Sequence, residues 1–286
     1  MRTIHSISEL RSALALARQQ GHRIGFVPTM GALHDGHLSL VRMSKQQTDV
    51  TVVSIFVNPS QFGQNEDFAA YPRTLESDAS KLVDAEVDFL FVPNVAEIYP
   101  KSHTTSVAVN EVTELYEGAI RPGHFQGVAT VVAILFNIVQ PHVAFFGQKD
   151  AQQVAVIKRM VADLHFPVEV AIGDTIRESG QLAMSSRNVY LNSAERTESE
   201  ALSSALIATR ESLLLGEGID HAKEAGIRIL KGMSSQGKLD YLDIVDSETF
   251  HPIASFEPHN RHGKPPVTIV IAARFGATRL IDNMTV

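Results

Sequence analysis

Two histidines, His34 and His37, stand three positions apart after a predicted strand and at the start of a predicted helix. They end the string Pro28–His37, whose sequence is PTMGALHDGH. Gly31 and Gly36 allow the backbone to approach a ligand closely, and a helix amino end supplies N–H donors and the positive end of its dipole. Two imidazoles on one side of the first helical turn would donate hydrogen bonds to phosphoryl oxygens as negative charge builds in a transition state. The string therefore predicts a phosphate site.

From the residues alone, two other interpretations of this string stay open. Strand-to-helix turns with glycines are common, and surface histidines often have no function. Metal ligation is the second alternative, although one turn supplies two ligands and the His-Glu-x-x-His pattern of zinc proteases is absent. The whole string is more specific than its parts, because His34-Asp35-Gly36-His37 has the His-x-Gly-His form of the nucleotidylyl-transfer superfamily, whose members react at the α-phosphate of a nucleoside triphosphate.

Two further strings carry groups suited to a triphosphate. Met184–Asn188 (MSSRN) places Arg187 after two hydroxyls, and a solvated loop is the alternative. Paired with the histidine string, it corresponds to the mobile Lys-Met-Ser-Lys-Ser-type loop of that superfamily, whose closure would exclude water. Phe146–Gln153 (FGQKDAQQ) supplies Lys149 as a point charge for phosphate and Asp150 to orient it or cap the helix. An ordinary capped helix with a surface lysine is the alternative there.

Amide side chains mark a second kind of site. Phe56–Phe62 (FVNPSQF), followed by Tyr71–Thr74, places the Gln61 amide beside aromatic residues, an arrangement that would seat a small polar ligand. Gln153 offers another amide, one turn beyond Lys149. The string Arg121–Val128 (RPGHFQGV) precedes a predicted buried helix, and a turn with a packing Phe explains it equally well.

The elements that position these strings alternate between short strands and helices through about residue 175. The predicted strands are Arg23–Pro28, Val50–Val57, Val87–Val92, Val143–Phe146 and Val168–Ile172. The predicted helices are one opened by the capping pattern of Ser6 and Glu9 and closed by Gly21, then His37–Thr48, Leu75–Glu86, Val128–Gln140 and Ala151–Leu164. This alternation predicts an α/β fold, a Rossmann-like parallel sheet covered on both faces that binds ligands at the carboxyl ends of its strands.

The rest of the chain changes character. Helices are predicted over Ala194–Leu215 and Ile219–Met233, strands over Leu239–Val245, Val267–Ala273 and Arg279–Thr285, and a loop over Glu257–Pro266. Helices followed by strands predict a smaller α+β domain. We therefore expect a catalytic domain over 1–178 and a C-terminal α+β lid domain over 179–286, with the MSSR loop at its start.

Composition excludes several classes of protein. The 286 residues include no cysteine, which rules out disulfide scaffolds, thiolate metal sites and cysteine nucleophiles. The formal net charge of −7 is unsuited to general nucleic-acid binding, which needs a basic footprint. Apolar runs are shorter than the ~20 residues that span a bilayer, and the first residues lack a signal-peptide pattern. We expect a cytoplasmic protein with no nucleic-acid or membrane partner.

These five strings, in this order, resemble the pantothenate synthetase (pantoate–β-alanine ligase) family, most specifically through residues 1–191. The resemblance implies an ATP-dependent ligase in which the pantoate carboxylate attacks the ATP α-phosphate to give pantoyl adenylate and pyrophosphate. The β-alanine amine then attacks the mixed anhydride to give pantothenate and AMP. Two departures lie beside the motifs: Gly180-Gln181 replaces the family's usual Asp-Gly, and Ala151 replaces the aromatic that usually follows Lys-Asp.

The resemblance also implies roles for individual residues. His37 and His34 would be catalytic, with His37 in the proton-donor role, and Gln61 and Gln153 would bind pantoate, with Gln61 also touching β-alanine. The implied ATP contacts are Met30, Gly31, Ala32, Leu33, His34, Asp35, Gly36, His37, Gly147, Gln148, Lys149, Asp150, Ile176, Met184, Ser185, Ser186 and Arg187. Mg²⁺ would arrive with ATP, because it keeps several waters and few protein ligands. Asp78 is a candidate magnesium contact, and a homodimer is expected from the family.

Two other functions are kept as alternatives. A nucleotidylyltransferase acting on a phosphorylated acceptor would share the His-x-Gly-His string, but its acceptor pocket should be more cationic than one built on Gln61 and Gln153. A non-catalytic nucleotide-binding regulator would be expected to have a broken phosphate motif. Turnover of ATP in the presence of pantoate separates the regulator from the ligase.

Overall fold

The computed structural model describes residues 1–64, 66–231, 237–258 and 266–286. The chain divides into two compact units: the first comprises Met1–Gly147 and Val156–Asp174, and the second comprises Gln148–Ala155 and Thr175–Val286. The predicted domain boundary at 178/179 stays a prediction. The prediction did not include the grouping of Gln148–Ala155, a segment that contains Lys149, with the C-terminal residues.

The first unit is built on a parallel sheet with helices. Its elements are β1 (Arg2–Ile4), α1 (Ile7–Gln19), β2 (Ile24–Thr29), α2 (Asp35–Gln47), β3 (Val50–Ile55), α3 (Leu75–Asp84), β4 (Phe89–Phe91), α4 (Val95–Ile98), α5 (Glu117–Ile120), α6 (His124–Val139), β5 (Val143–Gly147), α7 (Ala151–Asp163, which begins in the second unit) and β6 (Glu169–Gly173). The strand order is β1-β4-β3-β2-β5-β6, and every pairing is parallel. The predicted α/β fold class is confirmed.

Burial explains why these strands appear in the sequence as runs of apolar residues. All six residues of β3 are buried, as a central parallel strand covered on both faces requires. The core of this unit gathers Val27, Val53, Leu90, Val143 and Phe145, each 0% exposed. The sheet thus brings the carboxyl ends of β2 and β3, and the loops that follow them, to one edge.

The second unit adds an antiparallel sheet. Its elements are α8 (Ser193–Ser199), α9 (Ala201–Leu214), α10 (Ile219–Leu230), β7 (Gly237–Asp246), β8 (Val267–Phe275) and β9 (Thr278–Thr285). The strand order is β7-β8-β9. Its own core includes Leu206, Ile244, Ile269 and Phe275. No helix in the described ranges is both long enough and apolar enough to cross a membrane.

Several boundaries differ from the sequence prediction. The helix predicted over Ala194–Leu215 is two helices that meet at Glu200, where the sequence has neither Gly nor Pro to signal a break. The three-residue strand β1 and the four-residue helices α4 and α5 were missed, since they are too short to show periodicity. The predicted end of α10 at Met233 and most of the predicted loop 257–266 lie outside the described residues.

Candidate active site

The loop between β2 and α2 contains a glycine in a left-handed backbone conformation. Gly31 has a φ of +85°, in the left-handed region that favours glycine, and Ala32 follows with a φ of +50°. The Thr29 hydroxyl accepts a hydrogen bond from the Gly31 N–H at 3.2 Å and donates one to the Ser54 carbonyl oxygen of β3 at 2.7 Å. The loop backbone is therefore tied to the neighbouring strand where β2 ends.

Asp78, on α3, anchors the same loop. Its carboxylate accepts hydrogen bonds from the backbone N–H groups of Ala32 and Leu33, both at 2.8 Å, and from the Thr74 hydroxyl at 3.1 Å. The residue is 0% exposed. Lys81 donates to the Leu33 carbonyl oxygen at 2.6 Å, so α3 holds the loop through two side chains.

These contacts do not fit the role of magnesium ligand predicted for Asp78. One carboxylate oxygen is bonded to the Leu33 N–H and the other to both the Ala32 N–H and the Thr74 hydroxyl. In the part of the chain that the structure describes, no three His, Asp or Glu side chains come together as a metal site. Asp78 is therefore an anchor of the loop.

The two histidines cap the helix that they begin. The prediction placed both on the first turn of a helix starting at His37, but α2 starts at Asp35 and His34 is its N-cap residue with extended backbone. His34 Nδ1 accepts from the Gly36 N–H at 3.2 Å, and His37 Nδ1 accepts from the His34 N–H at 3.3 Å. This reciprocal arrangement is a capping box made of two imidazoles, and their ring centroids lie 4.1 Å apart.

The capping box decides which nitrogen carries the proton. A neutral imidazole whose Nδ1 accepts a hydrogen bond has its proton on Nε2. Both His34 and His37 therefore present an Nε2–H donor when neutral. Gly36 is needed for this packing, because a Cβ at this position would lie 2.9 Å from the His34 ring. The structure thus brings the two histidines that were predicted to be catalytic next to each other at a helix amino end.

Gln61 is a buried residue in the turn that follows β3. It ends a 3-10 turn, Pro59–Gln61, and is 8% exposed. The Asn58 amide donates to Gln61 Oε1 at 3.0 Å, and Gln61 Nε2 lies 3.4 Å from the Met30 sulfur. The orientation of the Gln61 amide is therefore fixed by Asn58. Asn58 lies in the predicted string Phe56–Phe62 but has no role in that prediction, although an Asn before Pro is a turn signal.

The string Arg121–Val128 supports the Gln61 backbone. From the sequence alone, a turn with a packing Phe explained this string equally well. His124 Nδ1 donates to the Gln61 carbonyl oxygen at 2.9 Å, and its Nε2 lies 3.0 Å from Arg121 Nη1. Arg121 in turn makes a two-pronged ion pair with Glu66, at 2.6 and 2.7 Å. Burial, followed by the charge of Arg121, lowers the pKa of His124 to about 4, so its imidazole is neutral at pH 7.

This neutral histidine predicts a loss of stability in mild acid. The unfolded chain protonates His124 near its ordinary pKa of 6.5, whereas the folded protein does so near pH 4. The contribution of His124 to the free energy of unfolding should therefore be complete above pH 6.5. It should be lost as the pH falls from 6.5 to 4, a decrease on the order of 3 kcal/mol. Urea unfolding at several pH values should show this, and His124→Gln should flatten the slope. An equal slope in the variant would contradict the assignment.

The remaining predicted nucleotide residues, apart from Gly147 at the end of β5, belong to the second unit. Gln148–Asp150 form a 3-10 turn before α7, and Lys149 Nζ lies 3.3 Å from Asp150 Oδ1. Gln153 follows within α7. Ile176 pairs with Met184, whose N–H donates to the Ile176 carbonyl oxygen at 2.9 Å. Ser185 caps a 3-10 helix, Ser186–Tyr190, by accepting from the Arg187 N–H at 3.2 Å.

The departure at Gly180-Gln181 has a local structural account. Gln181 has a φ of +68°, a conformation that the family's usual glycine would adopt more easily. A Cβ at Gly180 would lie 1.8 Å from Glu200 Oε1, so the usual aspartate would require Glu200 to move. Glycine at position 180 therefore goes together with the side chain of Glu200, which occupies the space that an aspartate there would need.

The parallel sheet, the strand-to-helix loop and the paired histidines define an α/β protein that carries the His-x-Gly-His string of the nucleotidylyl-transfer class. Within that class, the chain belongs to the pantoate-beta-alanine ligase family, whose sequence profile matches residues 2–285. It is 48% identical to the pantothenate synthetase of Acetivibrio thermocellus, over 100% of this chain and 99% of that one. It is also 48% identical to the pantothenate synthetase of Brucella ovis, over 100% and 96%.

Solved structures agree with this assignment. The crystal structure of pantothenate synthetase from Thermus thermophilus is 47% identical, with a TM-score of 0.92 over 99% of both chains. The pantoate-beta-alanine ligase of Francisella tularensis is 32% identical, with a TM-score of 0.79 over 99% of this chain and 97% of that one. The Francisella structure is a complex with beta-gamma ATP and beta-alanine.

Proposed function

We propose that this protein condenses pantoate with β-alanine in an ATP-dependent reaction that yields pantothenate, AMP and pyrophosphate. The observation that carries the proposal is the capping box at the start of α2, in a chain of the pantoate-beta-alanine ligase family. In it His34 and His37 each accept a backbone hydrogen bond at Nδ1, which makes each neutral ring a donor at Nε2. A loop anchored by Asp78 holds these donors.

In the first half-reaction, a pantoate carboxylate oxygen attacks the α-phosphorus of ATP and the bond to the bridging oxygen breaks. Pantoyl adenylate forms and pyrophosphate leaves. Negative charge grows on the phosphoryl oxygens, and fixed donors stabilise it without reorganising. His34 and His37 supply two such donors, with His37 as the main one, and the helix amino end adds its dipole.

In the second half-reaction, the neutral β-alanine amine attacks the acyl carbon of the adenylate. The acyl–phosphate bond breaks, AMP leaves with the bond electrons, and the nitrogen loses a proton to water to give the amide. A carboxylate does not react with amines at neutral pH, so adenylation is what makes it acylating. Gln61, oriented by Asn58, and Gln153 are proposed to hold pantoate, and Gln61 also to touch β-alanine.

The other assignments belong to the same proposal. Met30–His37, Gly147–Asp150, Ile176 and Met184–Arg187 are proposed to contact ATP. Mg²⁺ is carried by the triphosphate as part of the substrate. We also propose that residues 1–178 and 179–286 act as catalytic and lid domains, and that the protein works as a cytoplasmic homodimer. Light scattering would test the dimer, with an expected mass of twice 31.3 kDa.

Product analysis tests the reaction as a whole. Mass spectrometry of a mixture with ATP, pantoate and β-alanine should find pantothenate and AMP in equal amounts, and omission of any substrate should abolish both. Release of ADP, or a stable nucleotide adduct of an acceptor, would contradict the proposal.

A close contact at Gly127 predicts a selective effect on pantoate. A methyl group there would lie 2.4 Å from the Ser60 carbonyl oxygen and 2.7 Å from the Gln61 Cα, so Gly127→Ala must push the Gln61 turn away from α6. We expect roughly a tenfold rise in KM for pantoate and a loss of about 1–3 kcal/mol in stability from overpacking. Steady-state kinetics check this, with KM for ATP as the internal control. An unchanged KM for pantoate would contradict the role of Gln61.

A further inference from the structure

The last strand, β9, contacts two separate segments that are proposed to bind ATP. Its residues Asp282 and Asn283 are 3% and 4% exposed, and both side chains carry polar groups. Adjacent side chains of a strand point to opposite faces, so two neighbouring residues can reach different parts of the chain. Neither residue lies in a motif that the sequence singles out.

Asn283 holds the turn that carries Lys149. Its Nδ2 donates to the carbonyl oxygens of Gln148 at 2.9 Å and Lys149 at 2.8 Å. Its Oδ1 accepts from Gln148 Nε2 at 3.3 Å. One carboxamide therefore holds the two peptide groups that flank the Cα of Lys149.

Asp282 holds the hairpin that carries Ile176 and Met184. Its carboxylate makes a two-pronged ion pair with Arg177, at 2.6 and 3.0 Å, and its side chain is 1% exposed. Arg177 Nη1 also donates to the Gln181 carbonyl oxygen at 3.0 Å, across the turn where Gln181 has its left-handed φ. Arg177 and Ala183 form an antiparallel bridge, which sets the register of Ile176 against Met184.

We propose that Asp282 and Asn283 are positioning residues of the ATP site. Asn283 holds the turn that carries Lys149, and Asp282 holds the Ile176–Met184 hairpin. Because both residues lie on β9, the two segments are held in fixed positions relative to each other. The proposal rests on the proposed function, because it takes Lys149, Ile176 and Met184 as ATP contacts. Two segments that are held before ATP arrives lose less conformational freedom on binding, so ATP binds more tightly. Asp282 and Asn283 themselves need not touch the nucleotide.

ATP affinity measured directly, without turnover, tests this. Isothermal titration of ATP into Asn283→Ala and into the near-isosteric Asn283→Asp should show Kd raised by about tenfold, since a lost hydrogen bond is worth up to about a factor of ten. In Asn283→Asp, a carboxylate would face two carbonyl oxygens, so its Kd should rise at least as much. In steady-state kinetics, KM for ATP should rise while KM for pantoate stays the same.

The matched control is Ile244→Val, a fully buried substitution on β7, the strand at the other edge of the three-stranded sheet. It should lower Tm but leave the ATP Kd within about twofold. Asn283 variants that lower Tm and bind ATP as wild type does would overturn the positioning role. If Asn283→Ala does not fold, Asn283→Asp and Asp282→Asn carry the test. A wild-type protein that fails to bind ATP would instead contradict the proposed function, so the two failures are distinguishable.

Discussion

Replacing His37 with alanine is expected to lower the rate of pantoyl adenylate formation by about 10²–10³-fold, the effect typical of losing one transition-state donor. The substitution removes the Nε2–H donor and also the Nδ1 acceptor that caps the His34 N–H. Rapid-quench measurement of a single turnover, with ATP and pantoate, isolates this step from product release. A rate like that of wild type would remove His37 from the mechanism.

Two companion variants separate chemistry from folding in this experiment. His37→Gln keeps an amide N–H donor and should recover part of the lost rate. His221→Ala replaces a histidine that is 56% exposed on α10, and should leave the rate unchanged. Loss of the helix cap alone costs about 0.5–2 kcal/mol, so His37→Ala should remain folded in a protein of ordinary stability, which circular dichroism can check.

Replacing Asp78 with asparagine is expected to lower both stability and ATP affinity. The amide can accept hydrogen bonds through one oxygen, so its NH₂ group would face a backbone N–H of Ala32 or Leu33 inside a fully buried site. A buried donor left without an acceptor costs about 1–3 kcal/mol, and the loss of the carboxylate charge adds to this. The loop that carries the histidines would shift, and ATP binding should weaken about tenfold or more.

The same variant separates an anchor from a metal ligand. Urea unfolding in the absence of ATP and Mg²⁺ should show the destabilisation, and Asp84→Asn, an exposed change on the same helix, should not. If Asp78 acted as a magnesium ligand instead, stability without metal would stay the same and the Mg²⁺ concentration needed for turnover would rise.

Short-range patterns in the sequence predicted the features that short-range physics decides. The strand-glycine-helix order around Gly31 predicted the phosphate loop. Apolar runs such as 50–57 predicted both ends of each strand from β2 to β6 to within two residues. The same reasoning started the helix at His37, two residues late, and did not identify His34 as its N-cap, because the usual N-cap residues are Ser, Thr, Asp and Asn. An imidazole used as a cap is a departure that local rules do not anticipate.

Contacts between distant residues were beyond such reasoning. The backbone groups that donate to Asp78 lie 46 and 45 positions away, and the carbonyl groups that accept from the Asn283 amide lie 135 and 134 positions away. Asp78 was therefore given only as a candidate magnesium contact, and Asp282 and Asn283 were given no role. The break between α8 and α9 has no local signal either. Knowledge of the sheet order is needed before any of these roles can be argued.

Exchange of labelled pyrophosphate into ATP, with pantoate present and β-alanine absent, tests the central claim most directly. Reversible formation of pantoyl adenylate requires pantoate and no amine, so the account predicts exchange that depends on pantoate and is lost in His37→Ala. Folded protein that binds ATP but shows no pantoate-dependent exchange, with added pyrophosphate in excess, would contradict the adenylate mechanism.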